Sequence, residues 1–234
     1  MVGRSFLNPP LITMRYIRLF AICGTALALI TGCAGPAAQD DACTSPLTDT
    51  VLNACVVTKD ALWRGGKPSA EGASALIAGG VRSIVNLEML HDDLDALTQA
   101  RPALSAPQAV DYFRIRAWEP NVLIAPALLD SHIAEFLAIT RTQAKPIYVH
   151  CRSGQNRTGV MVAAYRIMEE GVSPEVAISE MEKYQGIWFD QYADYLRELH
   201  GPRRARIESM IPAFASAVKQ DAKLVCSSGG CVRK

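Results

Sequence analysis

The chain has 234 residues, half of them hydrophobic and a fifth charged, with a formal net charge of +1. That composition fits one globular domain of ordinary size and excludes a disordered, collagen-like or coiled-coil chain. Residues 1–32 carry Arg4, Arg15 and Arg18 and no acidic residue, so a chain starting at residue 33 has 21 basic against 23 acidic groups, a formal −2 that argues against a nucleic-acid binder.

In chain order, residues 1–32 read as a signal peptide, with Met14 as an alternative start. Met14-Arg15-Tyr16-Ile17-Arg18 is a short basic stretch, and Leu19 to Ile30 is an apolar run of twelve residues. Such a run spans roughly 18 Å, well short of the ~30 Å hydrocarbon core, which disfavours a spanning helix. A basic start, a short apolar run and small residues at the cut describe a secretory signal. Ile30-Thr31-Gly32-Cys33 resembles the lipobox of bacterial lipoproteins. That resemblance implies a lipid on Cys33 and a chain anchored to a membrane rather than crossing it. An ordinary signal peptide that contains a Cys is the plainer alternative. With Ala34 after the Cys, the resemblance implies the outer membrane of a bacterial cell envelope, facing the periplasm. Residues 33–50, rich in Ala, Gly, Pro, Asp and Ser, read as a flexible spacer.

From residue 51 to 200 strand-like and helix-like segments alternate. Ser69 to Ala78 predicts a helix with Ser69 as N-cap and Gly79-Gly80 as its stop. Val81 to Leu87 is a β-branched apolar run suited to a buried strand. His91 to Leu104 reads as a polar helix and Tyr112 to Ala117 as a second strand. Pro126 to Arg141 fits a helix whose apolar residues Leu128, Leu129, Ile133, Phe136 and Leu137 recur at three and four. Pro146 to Val149 is a short buried strand, Thr158 to Glu170 a helix closed by Gly171, and Ser173-Pro174 opens another. Strands separated by helices imply an α/β fold, a single domain with a mainly parallel central sheet flanked by helices. Residues 201–234 read as a basic tail, with Arg203, Arg204 and Arg206, that ends in a Cys pair.

The chemistry sits between a strand and a helix, in His150-Cys151-Arg152-Ser153-Gly154-Gln155-Asn156-Arg157-Thr158-Gly159. At such a junction the backbone N–H groups of residues 152 to 157 lack partners and converge on an anion, aided by the positive end of the helix dipole. Gly154 gives the tight loop its conformational freedom, and Arg157 is placed to grip two phosphate oxygens. A thiol at the bottom of this nest has its anion stabilised, which makes Cys151 a nucleophile toward phosphorus. A merely buried Cys would not require the surrounding His, Gly and Arg-Thr.

His-Cys, five residues, Arg, then Thr-Gly resembles the signature of the cysteine-dependent protein tyrosine phosphatases. Its late position resembles the dual-specificity branch. Leu62-Trp63-Arg64-Gly65-Gly66-Lys67-Pro68 resembles the "LYRSGQP" segment of bacterial dual-specificity-like phosphatases, and Ile84-Val85-Asn86-Leu87 their first core strand. A rhodanese-type sulfur carrier also cradles a Cys, but Arg157-Thr158-Gly159 before an apolar helix argues against it. The resemblance implies hydrolysis of a phosphomonoester through a cysteinyl-phosphate, with no cofactor and no metal. It makes His150 a residue that fixes the loop and Thr158 a hydroxyl offered to the thiolate. It also requires an acid some thirty residues upstream, usually Asp. Glu119, 32 positions before Cys151 and directly after a strand, is the leading candidate. Asp130 and Asp111 are worse placed, and Asp92, Asp93 and Asp95 read as a solvated helix start. Trp118 reads equally as a pocket wall or a buried core residue, and Gln185 as a water-positioning residue or a surface side chain.

The implied substrate is a phosphorylated protein or a small phosphomonoester. An inositol or lipid phosphate is the alternative, weakened because the two loop positions that carry Lys in lipid phosphatases hold Arg152 and Gln155 here. The rival class is an inactive module that docks a phosphorylated partner. Of the seven cysteines, Cys23 lies in the signal, Cys33 takes the lipid and Cys151 must stay reduced. Cys43, Cys55, Cys226 and Cys231 form an even set for an oxidising compartment. Short spacing favours Cys43 with Cys55 and Cys226 with Cys231; the alternative ties the N-terminal arm to the tail.

Overall fold

In the computed structural model, which describes residues 43, 48–184 and 186–234, the chain first forms an antiparallel pair of short strands, β1 (Cys55–Thr58) and β2 (Leu62–Gly65). The signal peptide, Cys23, Cys33, most of the spacer and Gln185 lie outside the described residues. Helix α1 (Ala70–Ala78) starts where predicted: the Ser69 hydroxyl accepts the Gly72 N–H at 3.1 Å. Next come β3 (Ser83–Glu88), α2 (Leu94–Gln99) and β4 (Gln108–Ala117). Helix α2 is far shorter than the polar stretch from 91 to 104 suggested. It stops ahead of Pro102, which disfavours helical backbone at the residue before it. Helices α3 (Asn121–Ile124) and α4 (Pro126–Thr142) lead to β5 (Ile147–His150), then α5 (Asn156–Met168), α6 (Pro174–Glu182) and α7 (Phe189–Arg197).

The sheet has seven strands in the order β1-β2-β5-β3-β4, completed by β6 (Ala222–Ser227) and β7 (Gly230–Arg233). The four central strands are parallel and both edges antiparallel. Both faces are covered, so β3 is buried along its whole length, its polar Ser83, Asn86 and Glu88 included. Val85 and Leu87 join the core beneath α4 to α7, whereas Ile84 joins the core beneath α1, with Trp63, Leu76, Tyr112 and Tyr148.

Residues 201–234 are part of this architecture rather than a tail, and all described residues fall within one unit, 39–234. Pro202–Ala217 forms α8, which packs along α4, and β6 pairs with β4. The reason lies in alternation: Ala222, Leu224 and Cys226 are buried on one face of β6, and Lys223 is exposed between them. The basic residues are committed too. Arg203 and Arg206 pair with the fully buried Asp130 of α4, and Arg204 donates to the Ile167 and Met168 carbonyls at the end of α5. Cys226 and Cys231 face each other across β6 and β7 and form one disulfide; Cys43 and Cys55 form the other.

Candidate active site

The strand order brings the carboxyl ends of β2, β5, β3 and β4 side by side, the position where open α/β sheets carry their sites. Gly65 of β2 and Asn86 of β3 flank His150, the last residue of β5. Cys151 follows, 1 % exposed and the one free cysteine among the described residues. The loop to α5 turns at Gly154, whose φ is +76°. A Cβ there would lie 2.6 Å from the Gly65 carbonyl carbon and 2.8 Å from the Gly66 nitrogen, so only glycine fits between loop and β2.

The loop backbone has a consistent polarity. The N–H groups of Arg152, Ser153 and Gly154 find no protein acceptor among the described residues. Its carbonyls are engaged from outside: Arg152 O accepts from Lys67 N at 3.2 Å, and Gln155 O from Gly159 N at 2.7 Å in the first turn of α5. Unpartnered N–H groups at a helix start, around a buried thiol, form a concave anion site.

Beneath the loop lies a polar network that the sequence did not suggest. Asp93, read as part of a solvated helix start, is fully buried, and its Oδ2 lies 2.8 Å from His150 Nε2. The other ring nitrogen, Nδ1, faces the Cys151 carbonyl at 3.3 Å. Asp93 Oδ2 also accepts from Asn86 Nδ2 at 2.8 Å and from the Tyr112 hydroxyl at 3.2 Å, while Lys67 Nζ stands 3.6 Å from Oδ1. Burial alone would raise the Asp93 carboxyl, but the Coulombic pull and hydrogen bond of His150, with Lys67 and Tyr112, outweigh it and hold the carboxyl below its ordinary value. Asp92 and Asp95 remain on the surface, as expected.

Arg157, in the first turn of α5, reaches back across the sheet end. Its Nη1 donates to Leu87 O at 3.2 Å and to Ala117 O at 3.3 Å, at the carboxyl ends of β3 and β4. Its Nε lies 2.8 Å from Glu119 Oε1, an ion pair whose N–H is not aimed along a hydrogen bond. The Glu119 main chain is pinned by the Tyr192 hydroxyl, which donates to its carbonyl at 3.2 Å. Next to Arg157 opens a cleft of about 480 Å³, lined by the cations Lys67, Arg152 and Arg157, by Glu88 and His91, and by the apolar Met89, Leu90 and Trp118. Trp118 is therefore a half-exposed pocket wall and not a core residue.

The remaining predicted residues are distributed unevenly. Thr158 is fully buried, and its hydroxyl donates to Gly65 O at 3.5 Å rather than to the thiol, because that face of α5 packs on β2. Ser153 and Gln155 lie in the loop, and the Asn156 side chain closes against the backbone of Gly186. Asp111 is inside β4, next to Lys223 of β6, and Asp130 lies under α8, so neither reaches the cleft.

Residues 54–191 match the family described as "DSP-PTPase phosphatase fused to NAD+ Kinase". "Probable NAD kinase 2, chloroplastic" of Oryza sativa subsp. japonica is 36% identical over 110 residues, 45% of this chain and 10% of that protein. "Dual specificity protein phosphatase TpbA" of Pseudomonas aeruginosa is 31% identical over 122 residues, 52% of this chain and 50% of that protein. The chain thus spans a tenth and half, respectively, of these two relatives. Among solved structures, P. aeruginosa TpbA, as a Cys-to-Ser variant in complex with pTyr, superposes with a TM-score of 0.54 at 23% identity, covering 76% of this chain and 98% of that one. That likeness shows the fold.

Proposed function

The chain belongs, through residues 54–191, to the DSP-PTPase phosphatase family, and on that premise we propose that it is a cysteine-dependent phosphomonoester hydrolase. The observation that carries the reading is the buried Cys151 at the head of a loop whose Arg152, Ser153 and Gly154 N–H groups have no protein acceptor among the described residues, and which leads into the Arg157–Glu119 ion pair. The phosphoryl oxygens are held by Arg157 and the loop N–H groups. Cys151 Sγ attacks phosphorus in line, forming an S–P bond as the ester P–O bond breaks, and Glu119 gives its proton to the leaving oxygen. Glu119 then takes a proton from water, whose oxygen displaces the sulfur and releases inorganic phosphate.

A phosphorylated protein is the substrate we favour, because the cleft is lined by Lys67, Arg152 and Arg157 together with Met89, Leu90 and Trp118, which suits a phosphorylated aromatic side chain, and because the TpbA neighbour holds pTyr. We also propose that Cys33 carries a lipid and holds the domain at the cell envelope, on the strength of the Ile30-Thr31-Gly32-Cys33 signal. The test is turnover of p-nitrophenyl phosphate without added metal, beside Cys151→Ser. Loss of activity in the variant supports hydrolysis. Equal rates remove the enzyme reading, and binding of phosphate without turnover in either protein leaves a docking module. A panel of phosphopeptides, phosphoinositides and inositol phosphates then ranks the substrates.

A further inference from the structure

An anion cradle works only if its carbonyls face away from the ligand, because N–H and C=O of a trans peptide point in opposite directions. Three of the five carbonyls from 151 to 155 are engaged by His150, Lys67 and Gly159. The other two are held by side chains from the segment that precedes α1. Asn53 Nδ2 donates to Ser153 O at 2.9 Å, and Arg64 Nη2 donates to Gly154 O. With these two carbonyls held from outside, the trans peptides direct the N–H groups of Gly154 and Gln155 the opposite way.

Both residues are costly choices for packing alone. Arg64 is 2% exposed, its guanidinium lies 3.9 Å over the Tyr184 ring, and its Nε has no acceptor among the described residues. Burial pushes the guanidinium down to about 10, so it is still charged at neutral pH. A buried cation with an unsatisfied N–H is tolerated only where its remaining bonds matter, and an apolar side chain of similar bulk would pack at lower cost. Asn53 stands in left-handed backbone, φ 54°, which Asn accepts more readily than most residues.

We infer that Arg64 and Asn53 are positioning residues for phosphate binding, which orient the loop by holding the Gly154 and Ser153 carbonyls outward. The inference rests on the reading of residues 151–157 as a phosphate loop. It is tested by KM and kcat for p-nitrophenyl phosphate and by the competitive Ki of inorganic phosphate, in the protein and in Asn53→Gly, Arg64→Lys and Arg64→Met. Glycine keeps the backbone at 53 and removes only the amide; Lys keeps the charge at 64 and Met the bulk. The expected result is a parallel rise of KM and Ki, about tenfold in Asn53→Gly and at least that in Arg64→Met, with partial recovery in Arg64→Lys and kcat of Asn53→Gly within about threefold. Unchanged KM and Ki in Asn53→Gly, or a fall in kcat at constant Ki, overturns it. If the Arg64 variants do not fold, Asn53→Gly decides. If the unaltered protein shows no turnover, the rise of its thermal midpoint in inorganic phosphate replaces KM. A smaller rise in Asn53→Gly supports the inference; an equal rise, or none in either protein, overturns it.

Discussion

Glu119 Oε1 and Arg157 Nε lie 2.8 Å apart, joining the segment after β4 to the first turn of α5, where Arg157 lines the cleft. The proposed acid is thus held by the residue proposed to grip the substrate, although Glu119 is a methylene longer than the Asp usual in the family. Arg157 is itself braced by the Leu87 and Ala117 carbonyls, so its guanidinium is fixed before any ligand arrives. An incoming phosphate shares this cation with the carboxylate, which brings the acid next to the leaving oxygen.

Glu119→Gln separates these two roles. The amide keeps the shape but carries no proton to donate, so turnover of phenyl and alkyl phosphates should fall by about 10²-fold or more, and that of p-nitrophenyl phosphate much less. The Ki of inorganic phosphate should not rise, because Arg157 loses only a competitor. Rates measured across a series of leaving groups check this; a loss independent of the leaving group assigns the acid elsewhere.

Asp130→Asn tests the opposite assignment. Asp130 is fully buried and takes bonds from Tyr195, Arg203 and Arg206, so it anchors α8 on α4. Breaking a buried ion pair costs about 3–5 kcal/mol, which urea unfolding should register as a lower midpoint. The kcat of the folded protein should stay within about threefold of the original, because neither Asp130 nor its partners Tyr195, Arg203 and Arg206 line the cleft.

Asp93→Asn should give a pH-dependent loss of stability. The Asp93 carboxyl is held below its ordinary value in the fold, so its contribution is present above the unfolded value near ~3.9 and is lost as pH falls through the lower folded one. Unfolding by urea from pH 3 to 8 should show a gap between the two proteins of about 1–3 kcal/mol that is flat above about pH 5 and narrows below about pH 4. A gap that widens toward acid would contradict an ionised Asp93 in the fold.

What could be read from the chain alone was local. The run from His150 to Gly159 states its chemistry in ten consecutive residues, because the orphan N–H groups at a helix start belong to neighbours in sequence. The α1 cap, the apolar residues of β3 and the short spacing of both Cys pairs are likewise local. The outer support of the loop is not: Asp93 meets His150 across 57 positions, Arg64 meets Gly154 across 90 and Asn53 meets Ser153 across 100. Nothing in His91-Asp92-Asp93 distinguishes the buried carboxylate from its exposed neighbours. The same holds for Arg203 and Arg206, whose partner Asp130 lies more than seventy positions away, and for β6, whose alternation is too brief to stand out. The sequence by itself determined where an anion and a thiolate can meet. Which donors turn the surrounding carbonyls outward was decided only by the strand order β2-β5-β3, since a hydrogen bond needs its partners within about 3 Å and only the assembled sheet brings them there.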